Sequence, residues 1–371
     1  MRGTISLAAL AAVLAAGATP AAAQSDILFQ ARSGTPLSER FRVDSAGGLL
    51  AAGSLGIGVI PATGAGIRMM WHPFRAAFRA GSTDGGLAND YWDDDNVGFF
   101  SWAGGTETIS RGIASFAMGG NLNVTGNYAA ALGSGGTVSG TAGFSAGALN
   151  TCSGNYCTAV GYTAAASGVG SVALGYHVTA NADHAVALGQ RASANGQSGS
   201  FTWADASSTG VFSNSAANSF QVRASGGIIL YTNSGATAGV SLNPGGGSWN
   251  TLSDRNRKRD FGTVEGEDVL ARIRAVPVSS WRYVGEEGGV RHIGPMAQDW
   301  HAAFGLSADQ TTINMSDLDG VNLAAAQALE RRTAELRTQL ADRDVRIESL
   351  EARVARLEAL LLAGQAAPTT P

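Results

Sequence analysis

Residues 113–126 read IASFAMGGNLNVTG, and residues 127–140 read NYAAALGSGGTVSG. Laid one under the other, both blocks put glycine at the seventh and fourteenth positions, alanine at the fifth and valine at the twelfth. Four further blocks keep the phase as far as Gly196: TAGFSAGALNTCSG, NYCTAVGYTAAASG, VGSVALGYHVTANA and DHAVALGQRASANG. The seventh position is glycine every time, at Gly119, Gly133, Gly147, Gly161, Gly175 and Gly189. The twelfth is small and largely apolar: Val124, Val138, Cys152, Ala166, Ala180 and Ala194. Fourteen residues are too few for a helical hairpin but enough for two short strands and two tight turns. A fixed glycine at a turn permits positive φ without steric cost. Alternating small residues place one face inward, as a half-buried strand requires. One coil cannot bury its inner face alone, so the coils must stack into a solenoid.

The composition agrees. Glycine is 51 of 371 residues and charged residues are 15%. The usual shares are about 7% and about 25%. A net charge of −4 gives no general case for nucleic acid or an anionic membrane surface. The first residues, MRGTISLAALAAVLAAGATPAAAQSD, combine Arg2, a short apolar run and an A-x-A site at Ala21–Ala23. They read as a secretory signal peptide over 1–23, and the apolar run is too short to span a membrane. The expectation is a secreted or cell-surface protein with no membrane span in the mature chain. In that setting Cys152 and Cys157, five apart in a turn region, can form a local disulfide. Two free small residues in a tight coil is the other reading. The pair without supporting histidines makes no zinc site.

The flanks, 24–112 and 197–252, read as further β-structure: an N-terminal β region and a β stalk. Asp93–Asp95 reads as a solvated turn more readily than as a cation site. The six repeats, about 113–196, resemble the head domain of trimeric autotransporter adhesins. That resemblance implies a left-handed parallel β-roll and a homotrimer, and it does not extend to those proteins' C-terminal membrane barrel.

Beyond Leu323 the chain becomes helical, and residues 329–361 carry heptads. Leu329, Leu336, Leu350 and Leu357 fall at d, and Leu340, Ile347, Val354 and Leu361 at a, interrupted by Thr333 and Arg343. Arg346 and Arg353 at g face Glu351 and Glu358 at the next e, a pairing that suits a parallel coiled coil. Residues 362–371 read as a disordered tail.

Between fibre and coil lies WNTLSDRNRKRDFGTV, from Trp249 to Val264. With RHIGPMAQDW and DLDGVNLAA downstream, residues of about 251–361 resemble the C-terminal intramolecular chaperone of endosialidases and other phage tail spikes. The resemblance implies a domain, here 253–328 followed by the coil, that assists assembly of a trimeric β-fibre and then cuts itself off. It also implies a Ser–Lys dyad, matched by Ser253 and Lys258, cutting between Leu252 and Ser253. The chemistry can be argued from the residues. Serine is a weak nucleophile until a base takes its proton, and an uncharged lysine can do so. Burial and neighbouring cations favour the uncharged lysine, and Arg257 and Arg259 flank Lys258. The lysine can come from the same chain or from a neighbouring one. The bland reading of SDRNRKRD is a capping Ser-Asp with a solvated basic face.

His292 and His301 read as structural, and Asp317 and Asp319 as caps of the following helix. The expected fold is a mainly β trimeric fibre followed by a smaller α+β domain ending in a parallel trimeric coiled coil. The expected activity is a single-turnover, self-cleaving serine endopeptidase without cofactor or metal, and no separate turnover by the fibre. The expected partners are two more copies of the chain and a surface glycan or other cell-surface ligand. A carbohydrate-active spike is the alternative, although no pair of catalytic carboxylates stands out upstream of residue 252. A second alternative is an uncut structural fibre with a permanent trimeric clamp.

Overall fold

The computed structural model describes residues 26–34, 37–84, 90–307 and 309–365. The expected signal peptide lies outside them, and no described helix is long and apolar enough to cross a membrane. The chain divides into two compact units. The first runs to Ile228 and takes in Asn243–Gly246, and the second comprises Ile229–Leu242 and everything from Gly247.

The first unit opens with a three-stranded antiparallel sheet, Ile27–Ser33, Ser38–Asp44 and Leu49–Ala51. A parallel β-solenoid follows. Its long strands form an eleven-stranded sheet that begins with the antiparallel pair Ile67–His72 and Ala77–Ser82. Its short strands form an eight-stranded sheet from Ile109–Ser110 to Phe212–Ser213. Neighbouring long strands are shifted by one repeat: Trp102 faces Phe116, Ala117 faces Ala131 and Gly147 faces Gly161. The register starts one coil earlier than the six blocks, because FFSWAGGTETISRG at 99–112 also carries Gly105 and Gly112. It breaks after Val186, which pairs with Phe201 at a spacing of fifteen.

The glycine column does not sit where the sequence reading put it. Gly133 and its equivalents lie within the long strands, such as Ala130–Ser134, at φ between 92° and 143°. A Cβ on Gly133 would run into the carbonyl of Gly147 in the next coil. Close approach between coils therefore fixes glycine there as firmly as dihedral freedom does. Side-chain-bearing residues at left-handed φ make most of the turns: Tyr128, Tyr156 and His184 at the second position, Leu149, Thr163 and His177 at the ninth. Each is strained by about 1–2 kcal/mol, so the ladders on either side must hold them. Every second coil adds a rung. Asn127, Asn155 and Asp183 accept from the amides of Ile113, Thr141 and Val169 in the coil before, at 3.0, 3.0 and 2.8 Å.

The core is narrow. Ala117, Ala131, Ala159, Ala173 and Ala187 from the long strands meet Val124, Val138, Cys152, Ala166 and Ala180 from the short ones, all fully buried. Cys152 and Cys157 are bonded across consecutive coils with their Cα atoms 5.7 Å apart, and both are buried. Asn150 is also inside, satisfied by the carbonyls of Ala146 and Gly161 and the amide of Ala164. At the head, the buried Arg79 donates to the carbonyls of Phe78, Ser101 and Ser110. Burial, with the charge of Arg75 second, brings its guanidinium down to about 9. The two outer faces differ. The long strands turn Trp102, Met118, Leu132, Phe144 and Leu174 outward at 36–47% exposure. The short strands present Asn123, Thr137, Thr151, Ala165 and Thr179.

The second unit contains a three-stranded sheet, in the order Ile228–Tyr231, Gly239–Leu242, Trp249–Thr251. After it come α1 (Gly266–Ala275), a two-stranded antiparallel sheet (Ser279–Trp281 with His292–Gly294), α2 (Ala297–Phe304) and α3 (Met315–Gln365). Val269 of α1, Trp300 of α2 and Val321 and Ala325 of α3 form its core. Glu267 pairs with Arg332, tying α1 to α3. The cap of α3 is Asn314, whose Oδ1 accepts from the Ser316 amide at 2.9 Å, and not Asp317 or Asp319. The helix runs unbroken through the heptads and on to Gln365, past the expected start of a disordered tail at 362.

Candidate functional site

The edge strand Trp249–Thr251 is antiparallel to Gly239–Leu242, with Thr251 opposite Val240. The pairing continues one residue further, where the Leu252 amide donates to the Gly239 carbonyl at 3.3 Å. Leu252, the residue on the acyl side of the expected cut, is thereby held against the sheet. The chain then leaves the strand and turns. Asp254 accepts from the Asn256 amide at 2.9 Å, and a single 3₁₀ turn spans Arg255–Arg257. The Lys258 amide closes it on the Arg255 carbonyl at 3.2 Å.

That turn decides where Lys258 goes. It folds five residues back on themselves, and Lys258 Nζ donates to Ser253 Oγ at 2.6 Å. Leu252, Ser253 and Lys258 are all exposed. Asp254 caps the turn, as the bland reading of SDRNRKRD has it, and the same turn brings the lysine to the serine.

The three arginines have separate partners. Arg255 lies over the Phe261 ring at 5.5 Å, and Arg259 pairs with the adjacent Asp260 at 3.5 Å. Arg257 Nε stands 3.5 Å from Asp254 Oδ2, and its Nη1 donates to the Ala236 carbonyl at 3.4 Å. Arg257 also lines a cleft of about 250 Å³ with Tyr231, Ala236, Leu252, Ser253 and Asp254. Arg257 and the 232–238 turn therefore belong to the site; sequence reasoning placed Arg257 there only as a cation beside Lys258 and gave the turn no place in it.

Residues 253–306 match the family model described as the chaperone of endosialidase. The match begins on Ser253 itself and ends at Leu306. The model bears the name of a peptidase family. The match does not reach the heptads of α3, although the resemblance read from the sequence ran on to residue 361. No curated protein matches the chain.

The other candidate residues lie elsewhere. Asp94 accepts from Arg75 and contacts His72 at 3.0 Å, and Asp93 accepts from the Gly64 amide. The Arg75 hydrogen bond, ahead of the His72 contact, holds the Asp94 carboxyl below its ordinary value. Among the described residues no group of three or more His, Cys, Asp or Glu side chains is placed to hold a metal. His292 contacts the Glu286 carboxylate at 2.9 Å, and His301 Nδ1 stands 3.4 Å from Ser307 Oγ.

Proposed function

We propose that the chain is an exported homotrimeric fibre whose C-terminal chaperone drives assembly and is then released by autoproteolysis between Leu252 and Ser253. The observation that carries this reading is the 2.6 Å contact between Lys258 Nζ and Ser253 Oγ, directly after a strand-held Leu252. Neutral Lys258 takes the Ser253 hydroxyl proton, and Oγ attacks the Leu252 carbonyl carbon. The C–N bond breaks, the Ser253 nitrogen gains a proton, and an ester joins Leu252 to Ser253 Oγ. Water then hydrolyses the ester, leaving a carboxylate on Leu252 and a free amine and hydroxyl on Ser253. This is a single turnover in which the chain is both enzyme and substrate.

An exposed dyad is poorly set for that chemistry, because water competes for the hydrogen bond between its two members. Assembly supplies the missing desolvation: the three copies meet along α3 and along the apolar outer face of the long solenoid strands, and cleavage follows trimerisation. The cut then makes folding kinetically irreversible. The fibre left behind serves in surface contact, with a glycan or other cell-surface ligand as its partner. Intact mass and denaturing gels of the expressed chain test the cut. Wild type splits at Leu252–Ser253, while Ser253→Ala and Lys258→Ala remain whole. A single full-length wild-type band from an assembled trimer would overturn the reading.

A further inference from the structure

The dyad is not held in place by its own two residues. Asp254 caps the turn through the Asn256 amide, and its carboxylate faces Arg257. Arg257 reaches across to the Ala236 carbonyl, twenty-one residues upstream. That carbonyl lies in a turn organised by Asn233. The Asn233 Oδ1 accepts from the amides of Thr237 and Ala238 at 2.9 and 3.1 Å, and its Nδ2 donates to Thr237 Oγ1 at 2.6 Å. The strand after the turn begins at Gly239, whose carbonyl holds the Leu252 amide. One strand–turn–strand, Ile228–Leu242, thus grips both sides of the expected cut. Gly239 fixes the acyl side, and Ala236, through Arg257, fixes the turn that carries nucleophile and base.

We propose that Asp254 and Arg257 are positioning residues for the self-cleavage, and that the 228–242 strand–turn–strand is the template against which they hold the dyad. This rests on the proposed autoproteolysis. The template lies upstream of the cut, in the part of the chain left with the fibre. The peptidase is therefore incomplete until the last sheet of the fibre has folded, and cleavage reads out that event as well as assembly. A reacting group displaced by about 1 Å can lose a factor of about a hundred in rate, so a modest loosening of the turn is measurable.

The test is a time course of intact mass on the full chain, with oligomeric state and melting midpoint recorded for each variant. Arg257→Met and Asp254→Ala are expected to slow cleavage about tenfold or more with the melting midpoint unchanged. Asp254→Asn keeps the capping oxygen and should recover most of the Asp254→Ala loss, which a loss of charge alone would not allow. Arg255→Met removes a cation of the same run but leaves the template contacts in place, and should cut at the wild-type rate. Wild-type rates in both Arg257→Met and Asp254→Ala would overturn the proposal. So would equal slowing by Arg257→Met and Arg255→Met, which would mean that net charge and not position matters. Failure of the underlying reading looks different: wild type stays whole, or Ser253→Ala is cut.

Discussion

In the solenoid, Ala131 and Val138 are fully buried by the chain's own neighbouring coils. In α3, Leu336 and Leu340 of the same chain remain 62% and 61% exposed. Both regions are periodic, and both follow the rule that an apolar face must be covered. Their periods lead to different solutions. A 14-residue coil returns the chain to a place beside itself, so repetition within one chain covers the inner face. A heptad never returns, and its seam can be covered only by another helix. The first region is complete at any concentration, whereas the second gives a reason for copies to meet.

The comparison can be broken from the helix side first. Ile347→Glu combined with Val354→Glu puts two carboxylates per chain into the seam. Burying unpaired charges there should weaken association more than a thousandfold, about 4 kcal/mol, and slow cleavage with it. Sedimentation of the Ser253→Ala background with and without the pair checks this. A trimer that persists would mean that the solenoid face alone holds the copies together.

From the solenoid side, Gly161→Val adds a side chain where even a Cβ meets the Gly175 carbonyl of the next coil. The loss should be about 3 kcal/mol or more, because strained backbone and overpacking combine and the ladder cannot shift. Denaturant unfolding measures it, and the seam should be indifferent to the change. A smaller effect sharpens the contrast. Replacing Cys152 and Cys157 together with alanine opens a short loop and should cost about 2 kcal/mol. If coils already complete one another, the double variant still folds with a lowered midpoint. Failure to fold would show that the bond is needed to start the stack.

Much of the solenoid was legible because each coil repeats the same answer. Gly119 to Gly189 and Val124 to Ala194 mark strand and core columns by position alone. The reason for the glycine was only half read: its positive φ holds, but a sequence shows that a side chain is missing and not which backbone lies opposite. The coil at 99–112 was overlooked although Gly105 and Gly112 keep the phase, because Phe99, Phe100 and Trp102 disguise it. The alternation of Asn127, Asn155 and Asp183 was written in the sequence as well, but a rung every second coil shows only at twice the period. At the candidate site the pair Ser253 and Lys258, which the structure brings to 2.6 Å, was legible only beside the downstream resemblance. Asp254 was visible as a cap but was treated as a rival to the dyad. The Arg257 contact could not be read at all. Its acceptor is a backbone carbonyl in a distant turn, and no side-chain pattern marks a carbonyl.

The 14-residue period also sets an exchange rate between chain and distance. Fourteen residues wound as a coil advance the solenoid by one strand spacing, about 4.8 Å. The same number of residues in α3 advances about 21 Å. A gene that gains or loses a coil therefore hardly changes the length of its product. It changes the number of lateral stations, each bearing its own outward set such as Leu132 or Tyr156. Growth by repeats is then a way to vary what the surface offers while the span stays nearly constant.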